Sequence, residues 1–172
     1  MKELFLSVYL RIFPWWTNYL RKELSDCETL LDLGCGDKSP LQYAPVPYSV
    51  GVELFKPYLE ESKKRRIHSQ YILADIREIE FKENSFDTVL LLGLIEHLSA
   101  EDVPDLIKKA KKWAKKKVIV STPSGFVWQE NYEGNPLQVH KSGWTPAAMK
   151  ELGFEIHGAR GWKALYGYNT RL

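Results

Sequence analysis

The sequence predicts an α/β fold: an open, doubly wound sheet, mostly parallel with an antiparallel last strand, in a three-layer α/β/α arrangement. Three observations predict it. Strand-like and helix-like stretches alternate five times along the chain, an acid or a glycine stands at successive strand ends, and the turn Gly34-Cys35-Gly36 follows the first strand directly. A strand, a turn of bare backbone and a helix start form the unit with which such sheets hold a nucleotide at the strands' carboxyl ends.

Residues 2–24 carry Leu4, Phe5, Val8, Tyr9, Ile12, Phe13, Trp16 and Leu20 at helical spacings, with Pro14 dividing two helices. This N-terminal cap, residues 1–25 of a single domain spanning 1–172, reads as packing on the sheet, as a lid over a pocket, or as an interfacial helix on a membrane. Trp15 and Trp16 suit either of the last two, since aromatic rings tolerate a half-wet position. Residues 29–33 (TLLDL) form a buried strand, and the glycine turn after it permits angles and close ligand approach that a Cβ would block. Asp37 or Ser39 then caps a helix with Pro40 in its first turn. Residues 48–53 (YSVGVE) form a second strand ending in an acid, and a helix runs over 56–66 to a solvated KKRR end. Residues 71–74 form a third strand ending at Asp75, and 86–92 a fourth ending at Gly93.

Residues 99–113 make an amphipathic helix with a capping-box start at Ser99 and Asp102 and an apolar stripe of Val103, Leu106, Ile107 and Ala110. The lysines at 108, 109, 111, 112, 115, 116 and 117 read as its solvated face and C-terminal turn, ahead of an RNA-binding face. Residues 118–122 (VIVST) are a fifth strand, stopped by Pro123. The long connection 124–143 holds Phe126, Trp128 and Tyr132, too aromatic for disorder and long enough to be functional. A helix follows over 145–152 with Gly153 as its stop, and strands at 154–159 and 163–168, joined by a short turn at Gly161, run antiparallel to each other.

The bulk composition narrows the class. A chain of 172 residues, 44% hydrophobic and 27% charged, is one soluble domain in size and make-up, and a net charge of +2 gives no argument for nucleic acid. Cys27 and Cys35 read as free thiols of a reducing cytoplasm; the sequence holds no metal-type Cys/His spacing, so no metal is expected. No stretch approaches the roughly 20 apolar residues of a membrane span. Glu3, Arg11, Arg21, Lys22 and Glu23 punctuate the N-terminal run, against a signal peptide.

Gly34 and Gly36, Glu53, Asp75 and Gly93 fall at successive strand ends, which right-handed crossovers bring to one crevice. There a glycine turn admits the ligand to the backbone, Glu53 can accept both hydroxyls of a ribose, and Asp75 can accept from an adenine amino group. The stretches LLDLGCGD, VGVE, LADI and SFDTVLLLGLIEHL, with the terminal strand pair, resemble the class I S-adenosylmethionine (SAM) dependent methyltransferases over residues 29–168. The resemblance implies a Rossmann-like fold, SAM as methyl donor and S-adenosylhomocysteine (SAH) as product. It places Glu53 on the ribose diol, Asp75 and Ile76 at the adenine, and Asp32, Gly34 and Gly36 around the methionine part. Cys35, Leu54 and Gly93 complete the implied cofactor set. The IEHL stretch at 95–98 looks most like the small-molecule and quinone-biosynthesis branch, and no Asn-Pro-Pro-Tyr follows the fourth strand, which lowers DNA bases and glutamine as acceptors. Lys38 stands where the family often has a third glycine, narrowing the space beside the methionine part or adding a charge near its carboxylate. Residues 134–144 (GNPLQVHKSGW) resemble a sub-group of uncharacterised methyltransferases, to which no substrate attaches.

A sulfonium methyl is already electrophilic, so the protein's main task is alignment. An oxygen or nitrogen acceptor can need a base, for which His97 and His140 are the candidates. Glu96 and His97 read equally as mutual structural partners, and His140 as a structural hydrogen-bonding group. Competing readings are a catalytically inactive SAM-binding or partner-binding module and a nicotinamide-dependent dehydrogenase. The dehydrogenase is disfavoured by the missing third glycine, the EHL stretch and the terminal hairpin. A small-molecule acceptor leads over RNA, and a hydrophobic one such as a lipid or quinone suits the tryptophan-rich N-terminus.

Overall fold

A computed structural model describes residues 14–160 and 163–169. The expected helix before Pro14 lies outside the described residues, as do the side chains of Trp15 and Trp16. The continuous apolar runs fold with the bounds their pattern gives: β1 (Thr29–Leu33), β2 (Tyr48–Glu53) and β4 (Phe86–Leu92). With β3 (Gln70–Leu73), β5 (Ala114–Pro123), β6 (Glu155–Arg160) and β7 (Lys163–Asn169) they form one sheet in the order β3-β2-β1-β4-β5-β7-β6. The first five strands pair in parallel, and β7 runs antiparallel to both β5 and β6. From β1 the chain builds outward through β2 and β3, then returns to place β4 on the other side. The crevice of an open sheet lies where the strand order reverses in this way.

Alternation along the strands separates two faces. Leu31, Leu33, Val50, Val52, Val89, Leu91, Val118 and Val120 form one core with α3 (Asp102–Trp113) and α4 (Pro146–Glu151). From α3 this face receives Val103, Leu106, Ile107, Ala110 and Trp113, and burial of each large side chain contributes about 1.5–3 kcal/mol. Leu30, Leu90 and Ile119 face the other way, against Leu20 of α1 (Pro14–Glu23) and Leu41. The helix α2 (Lys56–Arg65) ends on Arg66 in the left-handed conformation.

Three expectations are corrected. The helix after the glycine turn is only a 3-10 turn, Pro40–Tyr43; Pro45 and Pro47 follow so closely that no second turn can form. Ser39 still caps it, its hydroxyl accepting from the Leu41 N–H. The lysines at 115–117 lie in β5 rather than in a helix's last turn, because the strand begins at Ala114. Their charges are met: Lys115 by Asp87 (3.6 Å), Lys116 by Asp26 (3.4 Å) and Lys117 by Glu23 (3.4 Å). Lys109 pairs with Glu80 at 2.7 Å, so the basic run is largely internal charge balance rather than a face open to phosphates. The capping box at Ser99 is half formed: Ser99 Oγ accepts from the Asp102 N–H, and the helix begins at Asp102.

Gly51 in β2 holds the sheet close to the layer behind it. A Cβ there would stand 2.5 Å from His68 Cδ2 and 3.0 Å from Cys35 Sγ. Gly51→Ala should therefore lower stability by roughly 1–3 kcal/mol, as overpacking does; thermal denaturation reads the effect, and an unchanged melting temperature would contradict this packing.

Candidate active site

The carboxyl ends of β1 and β2 are joined by one side chain. Glu53 Oε2 accepts from the Gly36 N–H (3.0 Å) and Oε1 from the Phe55 N–H (2.7 Å), so the carboxylate is held by the turn it faces. The turn itself is fixed from β2, where the Val52 carbonyl accepts from the Cys35 N–H. Gly34 and Gly36 both take the left-handed conformation (φ 64° and 60°). They differ in surroundings: a Cβ on Gly34 would strike Leu94 Cδ1 at 2.6 Å, whereas one on Gly36 would meet nothing within 4 Å. Gly36 thus presents bare backbone to open space beside a nearly buried carboxylate. Burial pushes the Glu53 carboxyl up, against the pull of its backbone donors.

Asp75 lies at the same end of the adjacent strand. Glu53 is in register with Leu73, and the Ala74 N–H donates to the Glu53 carbonyl. The two acids therefore share one side of the molecule. Asp75 is also engaged locally: Oδ1 accepts from the Arg77 N–H (2.9 Å) and Oδ2 from Arg77 Nη2 (2.6 Å), while Arg77 Nη1 reaches Asp102 at 3.1 Å. The Arg77 guanidinium holds its carboxyl below the usual carboxylate range. Leu54 and Leu73 are exposed on either side of Glu53 and Asp75, and Ile76 is buried.

Asp32 and Cys35 sit behind the turn rather than on its open side. Asp32 is buried and accepts from Ser39 Oγ at 2.6 Å, with His68 Nε2 3.4 Å away. Burial lifts the Asp32 carboxyl to about 7 and lowers the His68 imidazole to about 4. Between about pH 4 and 7 the contact is therefore a neutral acid against a neutral ring, because burial makes the charged form of each costly. The Cys35 thiol is buried and pushed upward by the same burial, leaving only its backbone near the crevice. Lys38 pairs with Asp37 at 3.5 Å on the surface. Of this group, sequence reasoning missed His68 and Gly51; an acid inside an apolar strand was the signal that a buried partner had to exist.

At the end of β4, Gly93 turns with φ 63° and donates its N–H to the Ser121 carbonyl. The 3-10 turn Ile95–His97 follows, and the loop 124–144 returns to it. The Glu96 carbonyl accepts from the N–H groups of Lys141 (2.8 Å) and Ser142 (3.2 Å), and Ser142 Oγ donates to the Ile95 carbonyl (3.0 Å). Trp144 Nε1 donates to Ser142 Oγ, and Gly125 N–H to the Trp144 carbonyl. His97 and His140 are thereby stacked edge to face with ring centroids 4.9 Å apart. Burial is the main cause that lowers the His97 imidazole to about 4, so it is neutral near pH 7. Along the same loop Phe126, Trp128 and Tyr132 are exposed, Trp128 at 75%.

Comparison with known proteins fits this geometry. Residues 31–121, over half of the chain, match the methyltransferase domain family, and the chain belongs to it. It is a class I SAM-dependent methyltransferase domain, and SAM is its cofactor. Among curated relatives, "Probable (S)-tetrahydroprotoberberine N-methyltransferase 2" of Papaver bracteatum is 28% identical over 102 residues, 54% of this chain but only 28% of the relative's length. Among solved structures, the PH0226 protein of Pyrococcus horikoshii OT3 superposes with a TM-score of 0.70 at 18% identity, covering 94% of this chain and 90% of that one. Magnesium protoporphyrin IX methyltransferase from Synechocystis PCC 6803, solved with bound SAM, gives 0.65 at 16% identity, covering 94% and 79%. Identities this low bear on the fold. No described helix is long and apolar enough to cross a membrane.

The buried acid and imidazole carry opposite pH dependences. Raised Asp32 contributes stability present at low pH and lost as pH rises toward about 7; lowered His68 contributes stability present above its unfolded value near 6.5 and lost as pH falls toward about 4. Across that window the two slopes offset. Asp32→Asn leaves the His68 slope alone, so the variant's unfolding free energy, read from melts at each pH, should fall more steeply than the parent's between pH 6.5 and 4, by at most about 1.4 kcal/mol per pH unit. Parallel pH profiles for the two proteins would contradict the coupling.

Proposed function

We propose that this domain transfers the methyl group of SAM to a small-molecule acceptor, with Glu53 on the ribose hydroxyls and the backbone of Gly34–Gly36 beside the methionine part. The observation that carries the reading is the Glu53 carboxylate tied to the N–H of a glycine that faces open space. Each carboxylate oxygen retains a second lone-pair site, so both hydroxyls of a ribose can be accepted without breaking the bonds to Gly36 and Phe55. Leu54, Leu73 and Ile76 supply apolar surface for an adenine ring, and Asp75 receives its amino group by giving up one of its bonds to Arg77. The Asp32, Ser39 and His68 group positions the turn from behind; Gly93 lies at the methyl-bearing end.

The acceptor would approach from the side of the 3-10 turn at 95–97 and the loop 124–144. Exposed Phe126, Trp128 and Tyr132 favour an acceptor with apolar or aromatic surface. The curated relative is named for N-methylation of (S)-tetrahydroprotoberberine, and magnesium protoporphyrin IX is the acceptor named for one structural neighbour. Both are small molecules. Methyl transfer needs the acceptor atom in line with the S–CH3 bond, and alignment of this kind supplies several kcal/mol of the barrier. Neutral His97 is able to take a proton from a bound acceptor; His140 neighbours it across the loop closure.

Glu53→Ala should weaken SAH binding by about a hundredfold or more in calorimetry, consistent with losing charged hydrogen bonds to two hydroxyls, while circular dichroism confirms the fold. Wild-type affinity in this variant would overturn the assignment. The diol requires an ionised Glu53, whose carboxyl is raised above its ordinary 4.5. SAH affinity in the parent should therefore fall as pH drops, with a midpoint above 4.5, and this fall should be absent in Glu53→Gln.

A further inference from the structure

We infer that Glu96, His97 and His140 bind one divalent transition-metal ion at the acceptor side of the crevice, with an open coordination position that takes an oxygen acceptor. One ligating atom from each of the three lies within 4.8 Å of the other two, and Glu96 and His140 are buried while His97 is half-buried. No other such group of three occurs among the described residues. Sequence spacing could not reveal it, because His140 arrives only when the loop 124–144 folds back onto the turn after β4.

The hydrogen bonds around the rings fix their chemistry. His97 Nδ1 lies 3.3 Å from the Val139 carbonyl, and His140 Nδ1 lies 2.6 Å from the Val127 carbonyl. A carbonyl oxygen only accepts, so in both rings Nδ1 carries the proton. A ring that carries a single proton on Nδ1 has a lone pair on Nε2, the form in which imidazole binds metals. A ligating histidine generally donates its other ring N–H to a carbonyl or carboxylate in this manner. The closure is rigidly supported: Lys141 and Ser142 N–H groups both bond the Glu96 carbonyl, and Ser142 Oγ bonds the Ile95 carbonyl. Gly143 permits it, since a Cβ there would stand 2.5 Å from Phe126 backbone atoms.

Two imidazoles and one carboxylate suit a borderline divalent ion such as Zn2+ or Mn2+, and three protein ligands are the usual count for a site that keeps a position open. Bonds of about 2.1 Å set tetrahedral ligand atoms about 3.4 Å apart, so the three side chains draw together by an ångström or so on binding. With one carboxylate and two neutral rings the bound site keeps a net positive charge, which favours an ionised oxygen. This part of the inference rests on the methyltransferase reading. With the ion on the Nε2 that would otherwise make His97 the base, an acceptor hydroxyl at the open position gives its proton to solvent; its oxygen forms a bond to the methyl carbon as the S–CH3 bond breaks with both electrons staying on sulfur. The products are the methyl ether, SAH and one proton.

The test uses chelator-treated protein dialysed against Zn2+ or Mn2+, with metal analysis and SAH calorimetry on the same samples. Near-stoichiometric retention of either ion is expected, weakened at least about tenfold in His140→Ala and in Glu96→Gln, with SAH binding kept in both. Retention of neither ion, or equal retention by parent and variants, would overturn the site. Should a variant fail to fold, Co2+ added to the parent decides: visible bands and broadened His97 and His140 ring resonances support the site, and unchanged spectra overturn it. SAH binding without metal retention rejects this inference alone. Metal retention without SAH binding rejects the proposed function and leaves the ion site standing.

Discussion

The bond from the Gly36 N–H to the Glu53 carboxylate is the constraint on which the arrangement depends. It joins the end of β1 to the end of β2, beside the point between β1 and β4 where the strand order reverses. Parallel pairing alone would bring these ends near each other, but not with a carboxylate directed at a glycine backbone. The side chain is held from its other oxygen by the Phe55 N–H, so its orientation is fixed before any ligand arrives. Pre-orientation of this kind reduces the ordering cost of binding.

Behind that edge, the fold invests in neutral polar burial. Asp32, Ser39 and His68 fill a space that aliphatic side chains occupy along the rest of β1, and Gly51 leaves the room they need. In front, a second closure runs from Glu96 to residues 141–144 and sets two histidines side by side. The two closures divide the work spatially. One stands at the ends of β1 and β2, where a nucleoside would lie; the other stands beyond β4, where an acceptor would enter.

Much of the fold was legible because burial on both faces leaves unbroken apolar runs. TLLDL, YSVGVE and FDTVLLL gave strand bounds that the coordinates reproduce. Residues 114–117 were not legible as strand, since AKKK matches a helix end by composition and reads as strand only once Asp26, Glu23 and Asp87 supply partners. At Pro40 the Ser39 cap reads as the start of a helix, and it is Pro45 and Pro47 that hold it to a 3-10 turn. Glu53 and Asp75 were readable from their place at strand ends. The Arg77 clamp on Asp75 was half readable, as the Asp-Ile-Arg turn, and its bidentate geometry needs rotamers that no sequence states. The His97 and His140 contact joins positions far apart in the chain, so periodicity carries no trace of it.

The most direct test of the account is a crystal structure of the protein with SAH. It predicts both ribose hydroxyls within about 2.6–3.2 Å of the Glu53 carboxylate, with the glycine turn against the homocysteine portion and the sulfur directed toward the end of β4. SAH seated elsewhere, with no ribose hydroxyl near Glu53, would contradict it.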